Sequence, residues 1–454
     1  MYNNHNTCIG MNRYIFLSLT LVLSLSRLIA QANHIDTIQP RKCGTGILSL
    51  DYESFIEKEI AKKERYSNVT KTNLVYTIPI VFHIIHSGQN IGTLYNISLA
   101  QVNSQITILN QDYRKTNTDF NTWVTQSSFM NAAADCEINF CAAKVDPKGN
   151  VMAEPGIDRI KASDKGWTNP PYADTYIDGT IKPNSIWDPT KYFNVWVVFM
   201  NDGTLGYAQF PTVPNGTQPI TDIVGWGGSA NTDGVVLDYR YVGNIGTAQS
   251  PYNKGRTATH EVGHWLGLRH INGDSNCGND FCTDTPTQLS LSSTCPSVPG
   301  NIVSAGCGAD SPSPPGKMYQ NYMDYSEDRC LVMFTAQQKA RMQACMSNCV
   351  RRASLTTSTV CSVFINLQES IAEFKTEVYP NPSNGDVYVT YNSINQEDFE
   401  VSILNLVGQT LYQTTHNPSQ TATVHLNFEQ FTKGIYFISI KSKNQTVTKR
   451  LIYH

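Results

Sequence analysis

The chain has 454 residues, a formal net charge of −3 and only 16% charged residues. That length accommodates two or three domains with full-sized cores. The charge leaves no basic surface for nucleic acid and no polybasic run for a membrane, so neither partner is expected.

At the N-terminus, Arg13 precedes an apolar run from Tyr14 to Leu25, and Ala30 and Ala32 flank Gln31. This pattern reads as a secretory signal peptide over residues 1–32, cleaved near Asn33, with Met11 as an alternative start. The run is short for a bilayer span and no other segment is suited to one, so no stable membrane anchor is expected. Residues 33–70 read as a propeptide. Its helix-compatible part, 46–66, is highly charged and lacks an apolar face rich enough for a core, so it should ride on another domain. Setting aside Cys8 in the leader, eleven of the twelve cysteines remain, an odd number for an exported chain. Cys43, in Arg41-Lys42-Cys43-Gly44-Thr45, stands apart from the other ten, which fall at 136 and 141 and then between 277 and 361. Ten cysteines can make five disulfides, whose connectivity the residues leave open.

A strand is expected from Val75 to Ile85 and a helix from Ser98 to Asn110, where Ser98 and Gln101 form a capping box and Val102, Ile106 and Leu109 repeat at helical spacing. Strands follow near Glu137–Ala142, Phe193–Phe199, Gly206–Ala208 and Gly234–Leu237. His83 and His86 lie three apart in the first strand, on opposite faces, and read as strand residues with satisfied hydrogen bonds.

The stretch His260-Glu261-Val262-Gly263-His264-Trp265-Leu266-Gly267-Leu268-Arg269-His270 carries the chemistry. On a helix starting near Arg256, His260 and His264 share one face a turn apart and can aim ring nitrogens at one ion, about 2.0–2.1 Å away. Glu261 is turned by about 100°, out of the ligand shell yet near the ion's open position, as a general base requires. His270 would lie about 15 Å further along an unbroken helix. Gly267, free to take positive φ, can end the helix and turn His270 back to the same metal. Three neutral imidazoles then leave the fourth zinc position to water.

Beyond this helix the chain is loop-rich until a helix near Thr335–Asn348. A Ser/Thr-rich stretch opens a linker over 354–372. From 373 to 454 the composition changes to alternating strands, Val387 and Val389, Val401 and Ile403, then Ile435, Phe437 and Ser439, separated by glycine turns. This reads as a separate all-β sandwich.

With these residues in place, Asn321-Tyr322-Met323-Asp324-Tyr325, Gly255-Arg256-Thr257, Asp284-Thr285-Pro286-Thr287-Gln288 and Cys330 seven after Met323 resemble the pappalysin family of metzincin proteases, including its ulilysin-type and cytophagalysin-type members. The resemblance covers roughly 75–350 and implies an α+β fold: a zinc protease domain over 71–353 with a twisted mixed sheet, helices and an irregular C-terminal subdomain. It implies zinc on His260, His264 and His270, and Glu261 as general base for hydrolysis of protein or peptide substrates. Met323 would form an apolar floor under the metal, and the phenol of Tyr325 would meet the developing oxyanion. Asp280 and Asp284, in an oxygen-rich loop, are expected calcium ligands. The resemblance also pairs Cys295 with Cys330, and Cys277 or Cys282 with Cys307. Some relatives cut before a basic residue using an acidic side chain after the methionine turn, where this chain has Glu327 and Asp328, followed by Arg329. Cys43 resembles the inhibitory cysteine of these zymogens.

Residues 375–454, with Tyr379-Pro380-Asn381-Pro382, Gly408-Gln409, Gly434-Ile435-Tyr436 and Lys449-Arg450-Leu451-Ile452, resemble the sorting domains of type IX secretion cargo. That implies the bacterial type IX machinery as a partner and a secreted or cell-surface location reached through the periplasm. The alternative to a secreted zinc endopeptidase is a catalytically silent adhesin on the same scaffold. Intact Glu261 and the three histidines argue against it.

Overall fold

The apolar run beginning at Val75 becomes the central strand of a mixed sheet, buried on both faces as a strand between parallel neighbours must be. The computed structural model describes residues 41–46, 50–66, 75–212, 228–307, 316–362, 374–393, 398–406, 408–417, 421–442 and 446–454. The expected signal peptide and its cleavage site lie outside them, as does the later part of the expected linker. Among the described residues, no helix is long and apolar enough to cross a membrane.

The central strand β1 (Tyr76–His86) pairs in parallel with β2 (Ile138–Ala142) and β3 (Ile157–Lys161) on one side and with β4 (Phe193–Val198) on the other. From β4 the sheet continues in parallel to β6 (Val235–Asp238), and β5 (Gly206–Ala208) closes the edge antiparallel. The sequence Ile157-Asp158-Arg159-Ile160-Lys161 has no alternating apolar pattern, and pairing with β1 makes it a strand.

The helices that position the site are α1 (Leu50–Tyr66), α2 (Leu99–Tyr113), α3 (Arg256–Trp265) and α4 (Ala336–Asn348). Ser98 caps α2 by accepting from the Gln101 N–H, and Thr335 with Gln338 forms a capping box on α4. One core joins Ile78, Ile80, Phe82 and Ile84 of β1 to Val102, Ile106 and Leu109 of α2 and Ala258, Val262 and Trp265 of α3. The charged helix α1 does ride on another element: Tyr52 and Ile56 bury fully against Phe210 and against Ala344, Cys345 and Cys349 at the end of α4. His83 is a satisfied strand residue, its Nδ1 2.9 Å from Asp158 Oδ2 and its Nε2 2.8 Å from Asn194 Oδ1.

Disulfides join Cys277 to Cys307, Cys295 to Cys330 and Cys141 to Cys361. The first two brace the irregular segment after α3. Of the ten cysteines that could form five bridges, Cys136 and Cys282 are buried as thiols and Cys345 and Cys349 lie one helical turn apart, also as thiols. The Ser/Thr-rich stretch expected to open a linker packs onto this unit, with Leu355 in the core and Cys361 bridged to β2.

The chain divides after Val363 into a second compact unit. It contains a four-stranded antiparallel sheet, β10 (Thr410–His416), β9 (Phe399–Leu404), β12 (Gly434–Ser442) and β13 (Thr446–Tyr453), and a three-stranded one, β11 (Thr421–Asn427), β8 (Asp386–Ser393) and β7 (Phe374–Tyr379). Val387, Val389, Val401 and Ile403 face its core as the alternation predicts. In β12 the inward set is Tyr436, Ile438 and Ile440, while Ile435 is 40% exposed. The alternation through Ile435, Phe437 and Ser439 marks the other face, because both faces of that strand carry large apolar residues.

Candidate metal centre

Helix α3 starts after Gly255 in left-handed conformation and ends at Trp265. Gly267 takes φ +86°, its N–H donates to the His264 carbonyl at 2.8 Å, and the Leu268 N–H reaches back to the Gly263 carbonyl at 2.9 Å. This is the glycine turn that brings the third histidine back. His264 Nε2 stands 3.1 Å from His260 Nε2 and 3.1 Å from His270 Nε2. The sulfur of Cys43 joins them, and these four ligand atoms all lie within 4.8 Å of one another.

The opposite ring nitrogens show what the cluster is built to hold. His260 Nδ1 donates to the Tyr322 carbonyl at 2.6 Å, His264 Nδ1 to the Leu268 carbonyl at 2.8 Å, and His270 Nδ1 to Asp274 Oδ1 at 2.6 Å. With the proton on each Nδ1, three Nε2 lone pairs converge on one point, an arrangement that repels itself unless a cation sits between. Burial and the neighbouring imidazoles push His264 down to about 3 and His260 well below the ordinary histidine value, so both rings stay neutral and available. The residues therefore fit a zinc ion, with tetrahedral coordination by nitrogen and one further ligand.

Glu261, next to the first histidine, lies against the edge strand. Gly206 makes room for it: a Cβ there would come within 3.1 Å of the Glu261 Cγ. Burial raises the Glu261 carboxyl to about 7, opposed by hydrogen bonds from the Thr45 hydroxyl at 3.0 Å and the Cys43 thiol at 3.4 Å. Burial first, and the adjacent Glu261 second, raise the Cys43 thiol well above its ordinary value. A thiolate at this place needs a cation beside it.

Met323 is fully buried beneath α3. A Cβ on Gly263 would stand 2.5 Å from the Met323 sulfur, so the glycine inside the metal helix exists to let that floor approach. Tyr325 has its ring centroid 4.9 Å from that of His270 and 5.7 Å from that of His260. Burial, then Cys43 and Glu261, raise its phenol above the ordinary tyrosine value, so it keeps its proton.

The two acidic residues after the methionine turn separate cleanly. Glu327 is paired with Arg329 at 2.7 Å. Asp328 is buried, and its Oδ2 accepts the Lys254 N–H at 2.8 Å and the Arg256 N–H at 3.2 Å at the start of α3. Its Oδ1 takes Nη2 of Arg41 at 2.5 Å, and the same guanidinium donates to Thr257 Oγ1 and the Ser326 carbonyl and lies over the Tyr252 ring. Residues 41–46 thus cross the site as a strip, tied to the edge strand by the Leu205 N–H to Lys42 carbonyl and Gly44 N–H to Gly206 carbonyl bonds, 2.9 and 3.0 Å.

Asp280 accepts from the Thr285 hydroxyl and the Cys282 N–H, and Asp284 from the Thr335 hydroxyl and the Gln337 N–H. Three residues that the fold brings to the site have no signal of their own in the sequence: Arg41, Thr45 and Glu53, which is ion-paired to Arg269. Asp274 lies four residues after His270 and was legible only as an oxygen-rich loop residue.

A family model for pregnancy-associated plasma protein-A peptidases matches residues 175–347, and one for a secretion system C-terminal sorting domain matches 377–454. An extracellular metalloprotease of Neurospora crassa is 30% identical over 315 residues, 68% of this chain and 88% of the relative. One from Verticillium alfalfae is 28% identical over 336 residues, 72% and 96%. Mature mirolysin of Tannerella forsythia, solved with a cleaved peptide, is 37% identical with a TM-score of 0.51, covering 63% of this chain and 96% of that one. A promirolysin mutant from the same organism is 34% identical with a TM-score of 0.52, covering 70% and 97%.

Proposed function

Because the chain belongs to the pregnancy-associated plasma protein-A peptidase family, the pappalysin-type zinc metalloendopeptidases, and carries a secretion sorting domain, we propose that it is made as a latent zymogen. Its general base is Glu261, and its activated form favours a basic residue after the scissile bond. One observation carries the reading: the strip Arg41–Thr45 places a guanidinium on Asp328, a sulfur among His260, His264 and His270, and a hydroxyl on Glu261.

His260, His264 and His270 would hold a zinc ion, which would supply the charge that acidifies a water and polarises a peptide carbonyl. In the activated enzyme Glu261, freed of Thr45 and Cys43, takes the proton of the attacking water and delivers it to the leaving amine. Tyr325 keeps its proton and donates a hydrogen bond to the oxygen that gathers charge. Asp274 fixes the tautomer and orientation of His270, and the Tyr322 carbonyl does so for His260. The buried Asp328, with one oxygen held by backbone N–H groups and the other presented to Arg41, is a receptor for a guanidinium or ammonium. Glu327, neutralised by Arg329, does not share that task.

Residues 33–70 act as the prosegment, and removing them opens the site. That a relative is known both as promirolysin and as mature mirolysin accords with this. The test is casein hydrolysis by the full chain before and after limited proteolysis. Activity that appears only after processing, and is lost with a chelator and in Glu261→Gln, supports the reading. Equal activity before and after refutes latency.

A further inference from the structure

Helix α1 makes a contact separate from the strip over the histidines. Glu53 is 2% exposed and sits between two arginines: its Oε1 accepts from Arg269 Nε at 2.6 Å, and its Oε2 is ion-paired to Arg341 Nη2. Both guanidiniums are themselves buried, at 7% and 1% exposure, and flank the Phe281 ring, 5.3 and 5.7 Å from its centroid. Among the described residues, the buried Nε of Arg341 has no hydrogen-bond partner. Beside Glu53, the Tyr52 hydroxyl rests 1.7 Å from where a Cβ on Gly267 would stand, so the turn of the metal motif forms one wall of the same pocket.

Beneath α1 the two guanidiniums lie on one carboxylate with their water displaced, and their mutual repulsion makes that place favour an anion. Asp274 serves Arg269 in part, through Nη1 at 3.2 Å. When α1 leaves, Glu53 leaves with it, and the arginines stay, one of them adjacent to His270. Along the N-terminal segment Arg41 lies at Asp328, Cys43 at the histidines and Glu53 at the arginines, in that order. A peptide laid over the same places in the opposite chain direction, with the basic residue after its cut at Asp328, meets the arginines on the upstream side of the metal.

We propose that the place held by Glu53 is an anion subsite of the activated peptidase, taking a side-chain carboxylate of a peptide substrate across the scissile bond from the basic residue. The inference rests on the prosegment and peptidase readings above. It is tested on the activated chain with peptides that carry a basic residue after the cut and Glu or Gln at successive upstream positions. At one position Glu should raise kcat/KM by about tenfold over Gln, the scale of one charge-assisted hydrogen bond, and Arg341→Gln should bring the ratio to about one. A ratio near one at every position, or a preference that survives Arg341→Gln, overturns the subsite. A labelled peptide of residues 50–66 and its Glu53→Gln twin probe the unaltered enzyme should Arg341→Gln not fold. If neither substrate is cleaved, the peptidase reading fails by itself and this binding decides the subsite: a twin bound about tenfold more weakly sustains it, and equal binding or none overturns it.

Discussion

Arg41 and Asp328, 287 residues apart in sequence, meet in a buried ion pair at 2.5 Å. Asp328 already has one oxygen fixed by the N–H groups that open the metal helix, so the other is aimed before any guanidinium arrives. In Asp328→Asn the amide oxygen would keep the backbone bonds and turn its NH₂ toward the cation. Cleavage before Arg or Lys should fall by about 10²-fold, within the roughly 2–5 kcal/mol that breaking a buried charge pair costs. A peptide-library profile of the activated variant measures it, and an unchanged basic preference would assign the task to another residue.

Glu261→Gln keeps the shape of the side chain and removes the base. Turnover should fall by about 10²–10⁴-fold, while zinc content, read by elemental analysis, stays at the wild-type level because Glu261 is not among the four converging ligands. Loss of zinc together with activity would mean that the carboxylate serves the metal instead.

Latency should depend on Cys43 and Thr45 unequally. Cys43→Ala takes the sulfur from the histidines and should give the unprocessed chain measurable peptidase activity. Thr45→Val, which removes a hydroxyl from Glu261 and from the Ala208 N–H, should loosen the strip and speed activation without abolishing latency. Activity assays on unprocessed chains separate the two. A Cys43→Ala chain as silent as wild type would remove the cysteine from the explanation.

Burial raises the Asp280 carboxyl to about 7. An acid whose folded value lies above its unfolded value, near 3.9, binds a proton in the native state that the unfolded chain has released. Its contribution is therefore present at low pH and is lost as pH rises from about 4 to about 7. Asp280→Asn should flatten this dependence, so its Tm relative to wild type increases from pH 5 to pH 8. Calcium added at pH 8 tests the expected ligand role: a rise in the Tm of wild type alone would support it.

Gly263→Ala should destabilise the catalytic unit, although alanine ordinarily favours a helix by about 1 kcal/mol. The new methyl would meet the buried Met323 sulfur, and overpacking of this kind costs about 1–3 kcal/mol. Thermal melts of Gly263→Ala, and of Gly263→Ala with Met323→Ala, check it. A second substitution that recovers no stability would remove Met323 as the cause.

The metal set was legible because its geometry is local: two histidines on one helical turn, a glycine to end the helix and a third histidine just after. The β1 and β4 strands and the helices were legible from apolar spacing. What spacing cannot carry is a partner more than two hundred residues away. Arg41, Glu53 and Thr45 look like ordinary polar residues of a charged propeptide until the fold brings Asp328, Arg269 and Glu261 against them. Glu327 and Asp328 were indistinguishable as neighbours, and only backbone N–H groups at the start of α3 separated them. In β12 both faces carry large apolar residues, so alternation did not say which face looks inward.

The bridge between Cys141 and Cys361 spans 220 residues and ends two positions before the first compact unit does. It makes the catalytic unit a covalent ring from its second strand to its last residues. Proteolytic trimming beyond Ser362 therefore leaves a short stub pinned to the sheet, with no loose end from which the barrierless peeling of the last helices could start.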